Sequence, residues 1–260
     1  MDRDKRSKII VISIILVLLI IIGILGYYLF NLFTRGTDVS EYRVKDNGTA
    51  SSVSDTASGS ADKADNPINF KKLQQLNPEI FGWLYIPDTN IDYPLLQSNE
   101  RDDFYLHSDI YRNYKYAGSL YTEYCNSTDL DDRVTVIYGH NMIDGSMFAN
   151  LHKFRDTAFF NKHKEFYIYT PSRKLTYQVV SAYEFDDRHI MNTYNFAQNE
   201  VFESYLDYIQ NPHSVSSNVN QKLDHKLTVK DKIVTLSTCL DSGDGRYLLQ
   251  GVLVKDEPTG

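Results

Sequence analysis

The sequence predicts a mainly β fold, a single closed or nearly closed barrel with helices at its edge, set behind an N-terminal membrane-spanning helix. Three observations predict it. Short apolar, aromatic and β-branched runs recur between turn-rich segments and outnumber stretches of helical spacing. Their connections are short, which favours one sheet wrapped on itself over separate layers. A run without charge, Ile9 to Phe33, precedes them all.

That run has 25 residues, mostly Ile, Leu and Val, and exceeds the ~20 a helix needs to cross a bilayer. Arg3, Lys5, Arg6 and Lys8 lie before it in the short segment 1–8, and only Arg35, Arg43 and Lys45 follow closely. The bias predicts a cytoplasmic N-terminus and an extracellular remainder, a single-pass protein of the cell membrane. A cleaved signal peptide is the competing reading. The apolar run is longer than the ~7–15 residues of such a region, and no clean small-x-small site follows. Residues 34–66 are rich in Ser, Thr, Asp, Gly and Ala, with almost nothing apolar to bury, and read as a flexible linker.

The folded part is expected over 67–260, enough chain for one core. Phe70, Leu73 and Leu76 have helical spacing, and Asn77-Pro78 ends that helix. Phe81 to Ile86 and Ile91 to Leu96 read as strands joined by the turn Pro87-Asp-Thr-Asn90. Asp103 to His107 reads as a short strand or turn. Ala117 to Tyr124 and Arg133 to Tyr138 follow as strands, and Met147 to Phe154 as a short amphipathic helix. Phe166 to Thr170 and Leu175 to Phe185 return to strand. The insertion Asp186 to Asn220 has a helical centre from Asn199, closed by Asn211-Pro212. Ile233 to Cys239 is a buried strand, and Arg246 opens the last strand after the turn-rich run Asp241-Ser-Gly-Asp-Gly245.

The net charge of −7 argues against a nucleic-acid surface, and the 20 tyrosines suit half-buried strands. Two cysteines could form one disulfide outside the cell, but a permanent bond would disable Cys239 if it is a nucleophile; Cys125 reads as a strand-end residue without chemistry. Cys239, His140 and Arg246 each stand at the end of a strand and could meet at one rim. A thiolate is a strong nucleophile, an imidazole can give and take a proton, and a guanidinium can hold an oxyanion. The alternatives are an inert core cysteine, an ordinary surface histidine, and an arginine paired with Asp241 or Asp244. The other histidines, at 107, 152, 163, 189, 213 and 225, read as mostly solvated. None has metal-ligand spacing, and the loop 241–245 is too short for an EF-hand calcium site.

Thr235-Leu-Ser-Thr-Cys239 with Arg246 resembles the signature of the sortases, cysteine transpeptidases of Gram-positive cell surfaces. Tyr138-Gly-His-Asn-Met142 with Ser146-Met-Phe148 resembles the histidine segment of their class B branch. The likeness continues through Gly82-Trp-Leu-Tyr-Ile-Pro87, Ile91-Asp-Tyr-Pro94 and Glu165-Phe-Tyr-Ile-Tyr-Thr-Pro171, and covers about Asn69 to Val254. The resemblance implies an eight-stranded barrel with an added helix between its sixth and seventh strands. It implies that Cys239 attacks after the threonine of a sorting motif in secreted proteins, that Arg246 holds the oxyanion, and that His140 is the acid–base group. An amine from a peptidoglycan precursor or a pilin lysine would then accept the acyl group. It also places Leu106 and Tyr194 among substrate contacts. Asn141 is counted with them, and Ser237 and Thr238 either line the same groove or pack as ordinary strand residues. No cofactor and no metal are expected. A cysteine protease acting on the same peptides and a non-catalytic surface-binding barrel remain the alternatives.

Overall fold

Alternation of apolar residues along each strand sets which side faces inward, and in the computed structural model those strands close on themselves. The structure describes residues 3–44 and 63–259. Helix α1 (Arg3–Thr34) forms one unit and Gly36–Gly260 a second. The stretch Lys8–Phe30 of α1 is long and apolar enough to cross a membrane. Its Ser13 hydroxyl donates back to the Ile9 carbonyl at 2.9 Å, so this polar group needs no water.

In the second unit, β1 (Ile80–Tyr85), β2 (Asp92–Leu96), β3 (Leu120–Tyr121) and β4 (Val134–Tyr138) run side by side. Next to β4 lies β8 (Ile233–Cys239), then β9 (Arg246–Pro258), β6 (Arg173–Phe185) and β5 (Glu165–Tyr169), which pairs back onto β1. These eight strands close the expected barrel, and a short ninth, β7 (Ser217–Val219), hangs on β6. The β2–β3 and β4–β8 pairs are parallel and the others antiparallel. Leu84, Leu95, Ile137, Phe148, Phe166, Val234, Leu236 and Leu249 fill the interior.

The helices cover the outside. Helix α2 (Phe70–Leu76) is capped by the Asn69 side chain, which accepts from the Lys72 amide, and buries Phe70 and Leu73. Helices α3 (Thr157–Lys162) and α4 (Ile190–Thr193) are short and were not expected. Helix α5 (Asn199–Gln210) lies in the insertion between the sixth and seventh strands of the ring. It buries Phe202, Tyr205, Leu206 and Ile209 in a cluster with Val134, Val136, Leu248 and Val252. Each such side chain contributes roughly 1.5–3 kcal/mol.

Three expectations change. The strand expected over 117–124 shrinks to Leu120–Tyr121, because Gly118 turns the chain at φ +59° and Gln97 Nε2 takes the Glu123 and Asn126 carbonyls. Residues 149–155 form a 3-10 helix rather than an α-helix. The packed unit starts before Pro67: Val39 and Tyr42 are buried with Ile68, Phe70 and Leu73, and Arg43 bridges to Ile68. The rest of the expected linker, 45–62, lies outside the described residues.

Candidate active site at the barrel rim

Registry brings the three predicted residues together. Strand β4 runs parallel to β8 with Tyr138 opposite Ser237. One step on, the Gly139 amide donates to the Ser237 carbonyl at 3.1 Å, and the Thr238 hydroxyl donates to the Gly139 carbonyl at 2.8 Å. The next residues along the two strands are His140 and Cys239. On the other side of β8, Cys239 is opposite Arg246 of β9. Residue 139 must be glycine here, since a Cβ would lie 2.4 Å from Leu120 and 2.7 Å from Phe148.

The period of two decides which way the sulfur points. Val234 and Leu236 belong to the interior cluster, so Cys239 shares the opposite face with Thr235 and Ser237. Cys239 is half-buried and in no disulfide. Arg246 Nη1 donates to Cys239 Sγ at 2.7 Å, placing a fixed positive charge against the sulfur. Beside Arg246 the wall is aromatic: Tyr121 and Tyr138 stack with centroids 5.5 Å apart.

His140 is held by its far nitrogen. Nε2 lies 2.9 Å from the Leu106 carbonyl, which can only accept, so Nε2 carries the proton and Nδ1 is left for chemistry. Burial lowers the proton affinity of His140 below the ordinary imidazole value. The Leu106 carbonyl opposes this, and the charges of His107 and Arg246 add to the depression.

Behind Cys239 a second layer fixes the loop to β9. His152 Nε2 donates to the Cys239 carbonyl at 3.1 Å, with its ring stacked on Tyr247 at 5.0 Å. Asp241 accepts from Asn141 Nδ2 at 2.8 Å and from Arg155 Nη1 at 3.0 Å, and these bonds hold its carboxyl below the usual range. Asp241 is therefore engaged by Asn141 and Arg155. Asn141, expected among substrate contacts, bolts the loop in place.

The other expected contacts divide. Leu106 meets the site through its carbonyl. Ser237 and Thr238 are 4% and 2% exposed, and Thr238 is turned inward to tie β8 to Gly139, so it does not line a groove. The Tyr194 ring packs on Phe196 and Tyr205 and lines an open pocket of about 550 Å³ with Cys125, Arg133 and Met191. Cys125 is a free thiol on an exposed residue, and partial desolvation of its sulfur together with the Glu123 charge pushes it up to about 11. Among the described residues no cluster of three or more His, Cys, Asp or Glu could hold a metal. Four histidines read as solvated are not: His107 and His152 are half-buried at the site, His189 is half-buried and bonded to Glu123, and His163 is 7% exposed, bonded to Asp88 and stacked on Phe159.

Residues 84–254 match the family model of the sortase domain. The chain belongs to the sortase family. Sortase B of Listeria monocytogenes is 40% identical over 188 residues, 71% of this chain and 73% of that protein. The crystal structure of sortase B from Bacillus anthracis in complex with AAEK1 superposes with a TM-score of 0.63 at 35% identity, covering 75% of this chain and 88% of that one. A sortase B–substrate complex from Staphylococcus aureus has a TM-score of 0.61 at 28% identity, over 72% and 85% of the two chains. These relatives place the chain in class B. In this class B sortase, the rim of β4, β8 and β9 carries the Cys, His and Arg that its sequence singles out.

Proposed function

We propose that this sortase is a membrane-anchored cysteine transpeptidase that works outside the cell on sorting signals of secreted proteins. The observation that carries the reading is the Arg246 Nη1–Cys239 Sγ contact of 2.7 Å on the β8–β9 pair, beside β4, whose end leads through Gly139 into His140. The Cys239 thiol gives its proton to His140 Nδ1, and its sulfur attacks the threonine carbonyl carbon of the motif, forming a C–S bond as the carbonyl π pair moves onto the oxygen. Arg246 holds the oxyanion as the tetrahedral intermediate forms. His140 Nδ1 gives a proton to the leaving amine as the C–N bond breaks, and a thioacyl enzyme remains. An amine from a peptidoglycan precursor or a pilin lysine then attacks, returns a proton to His140 and releases the sulfur.

The N-terminal segment supports the location. Residues 9–33 serve as signal anchor with residues 1–8 in the cytoplasm. Protease shaving of intact cells tests this: the domain is cut from outside, while an N-terminal tag stays protected. The chemistry is tested with a sorting peptide and increasing amine acceptor. Acyl transfer that grows with acceptor supports the transpeptidase; hydrolysis alone at every acceptor concentration makes the protein a protease.

A further inference from the structure

His140 is gripped from one short 3-10 turn, Phe104–His107. Leu106 offers its carbonyl to Nε2, and the next residue, His107, lays its ring on the His140 ring, with centroids 5.2 Å apart and planes 29° apart. Tyr116 completes a triangle, 5.7 Å from His140 and 5.8 Å from His107, with planes within 26°. The His107 ring is itself anchored, with Nδ1 3.3 Å from the Tyr116 carbonyl. Gly118 makes room for the turn: a Cβ there would lie 2.3 Å from the Leu106 oxygen, and its φ is +59°.

We infer that His107 is a positioning residue for the proposed acid–base histidine: it holds the His140 ring face and, when charged, opposes a proton on its neighbour. The inference rests on the role proposed above for His140. Two imidazolium rings in contact repel, so a proton on one makes the other more acidic. The other titratable or charged groups facing the pair are Tyr114 and Tyr116 from the loop before β3, Arg246 from β9, and the Cys239 thiol at the end of β8. Neither the tyrosines nor the thiol bring a positive charge, so His107 and Arg246 alone supply the repulsion among these groups. A histidine so placed gives its proton readily to a leaving amine and is free again as a base for the incoming one.

The test is an NMR titration of His140 in the full-length chain, ¹³C-labelled at histidine in detergent micelles and assigned by signal loss in His140→Gln. His107→Phe keeps a ring on His140 and removes the charge. It should raise the His140 midpoint by about half a pH unit or more, the least expected of two charges ~5 Å apart. The same shift should appear in the pH profile of kcat/KM. His107→Gln gives a second, smaller neutral replacement and should raise the midpoint in the same direction. An unchanged midpoint in both variants, or a loss of activity in both without a shift, overturns the inference and reduces His107 to packing. The titration reads out whether or not the enzyme transfers acyl groups, so failure here is distinct from failure of the transpeptidase reading, which Cys239→Ala tests.

Discussion

One face of one strand pair carries two polar sites with opposite designs. At Thr235 and Gln250, register partners on β8 and β9, the side chains form a closed network. Thr235 donates to Gln250 Oε1 at 2.7 Å, and Gln250 Nε2 donates to the hydroxyls of Tyr183 and Tyr205 at 3.0 and 3.2 Å. Helix α5 covers it through Tyr205, and Gln250 is 0% exposed. Four residues along β8, Cys239 and Arg246 are partners in the same register, on the same face, and remain half-exposed. The buried network satisfies its donors internally, as low-dielectric surroundings demand. The rim pair keeps capacity for a group that comes from outside the barrel. The lesson is that polarity on a barrel wall marks function only where the wall is left uncovered.

The sharpest break between the two sites comes from Cys239→Ala. Peptide cleavage should fall by about 10⁴-fold or more, with stability within about 1 kcal/mol of the parent, read by urea unfolding. Arg246→Lys keeps a charge but loses the fork, and kcat/KM should drop by roughly 10²–10³-fold. At the covered site the outcome reverses. Gln250→Leu takes the partner from the buried Tyr183 hydroxyl, although Tyr205 and Thr235 keep each other at 3.1 Å. It should cost about 1–3 kcal/mol of stability, while the folded fraction turns over within a few-fold of normal. An equal loss of turnover in Gln250→Leu would erase the distinction.

The smallest effect is a pH dependence behind Cys239. Burial, aided by the Arg155 charge, lowers the proton affinity of His152 below its unfolded value of 6.5, so the unfolded chain binds more protons there. Stability from this group is present above pH 6.5 and lost as pH falls through the lowered folded value. His152→Gln keeps a donor for the Cys239 carbonyl, and the fall in Tm between pH 7.5 and 5.5 should become shallower. A fall of unchanged size would show that His152 takes no part in it.

Much of this was legible in the sequence because it rests on period and position. Val134 to Tyr138 and Ile233 to Cys239 read as strands from β-branched runs, and their ends delivered His140 and Cys239 to one rim once paired in parallel. The ring closed as the short connections suggested. What stayed hidden depends on three-dimensional neighbours. His107 is a lone histidine in a turn, and only the fold puts its ring on His140. Asn141 looked like a substrate contact because Asp241, its partner, is 100 residues away. Val39 and Tyr42 are two apolar anchors in a polar stretch, too few for any periodicity to show that residues 36–44 dock.

The most direct test of the rim is to trap the acyl enzyme. Incubating the full chain with a sorting peptide, without amine acceptor, and digesting it for mass spectrometry should show the acyl fragment on the Cys239 peptide. The adduct should vanish in Cys239→Ala and when an amine is added. An adduct on Cys125, or peptide cleavage that persists in Cys239→Ala, would contradict the account.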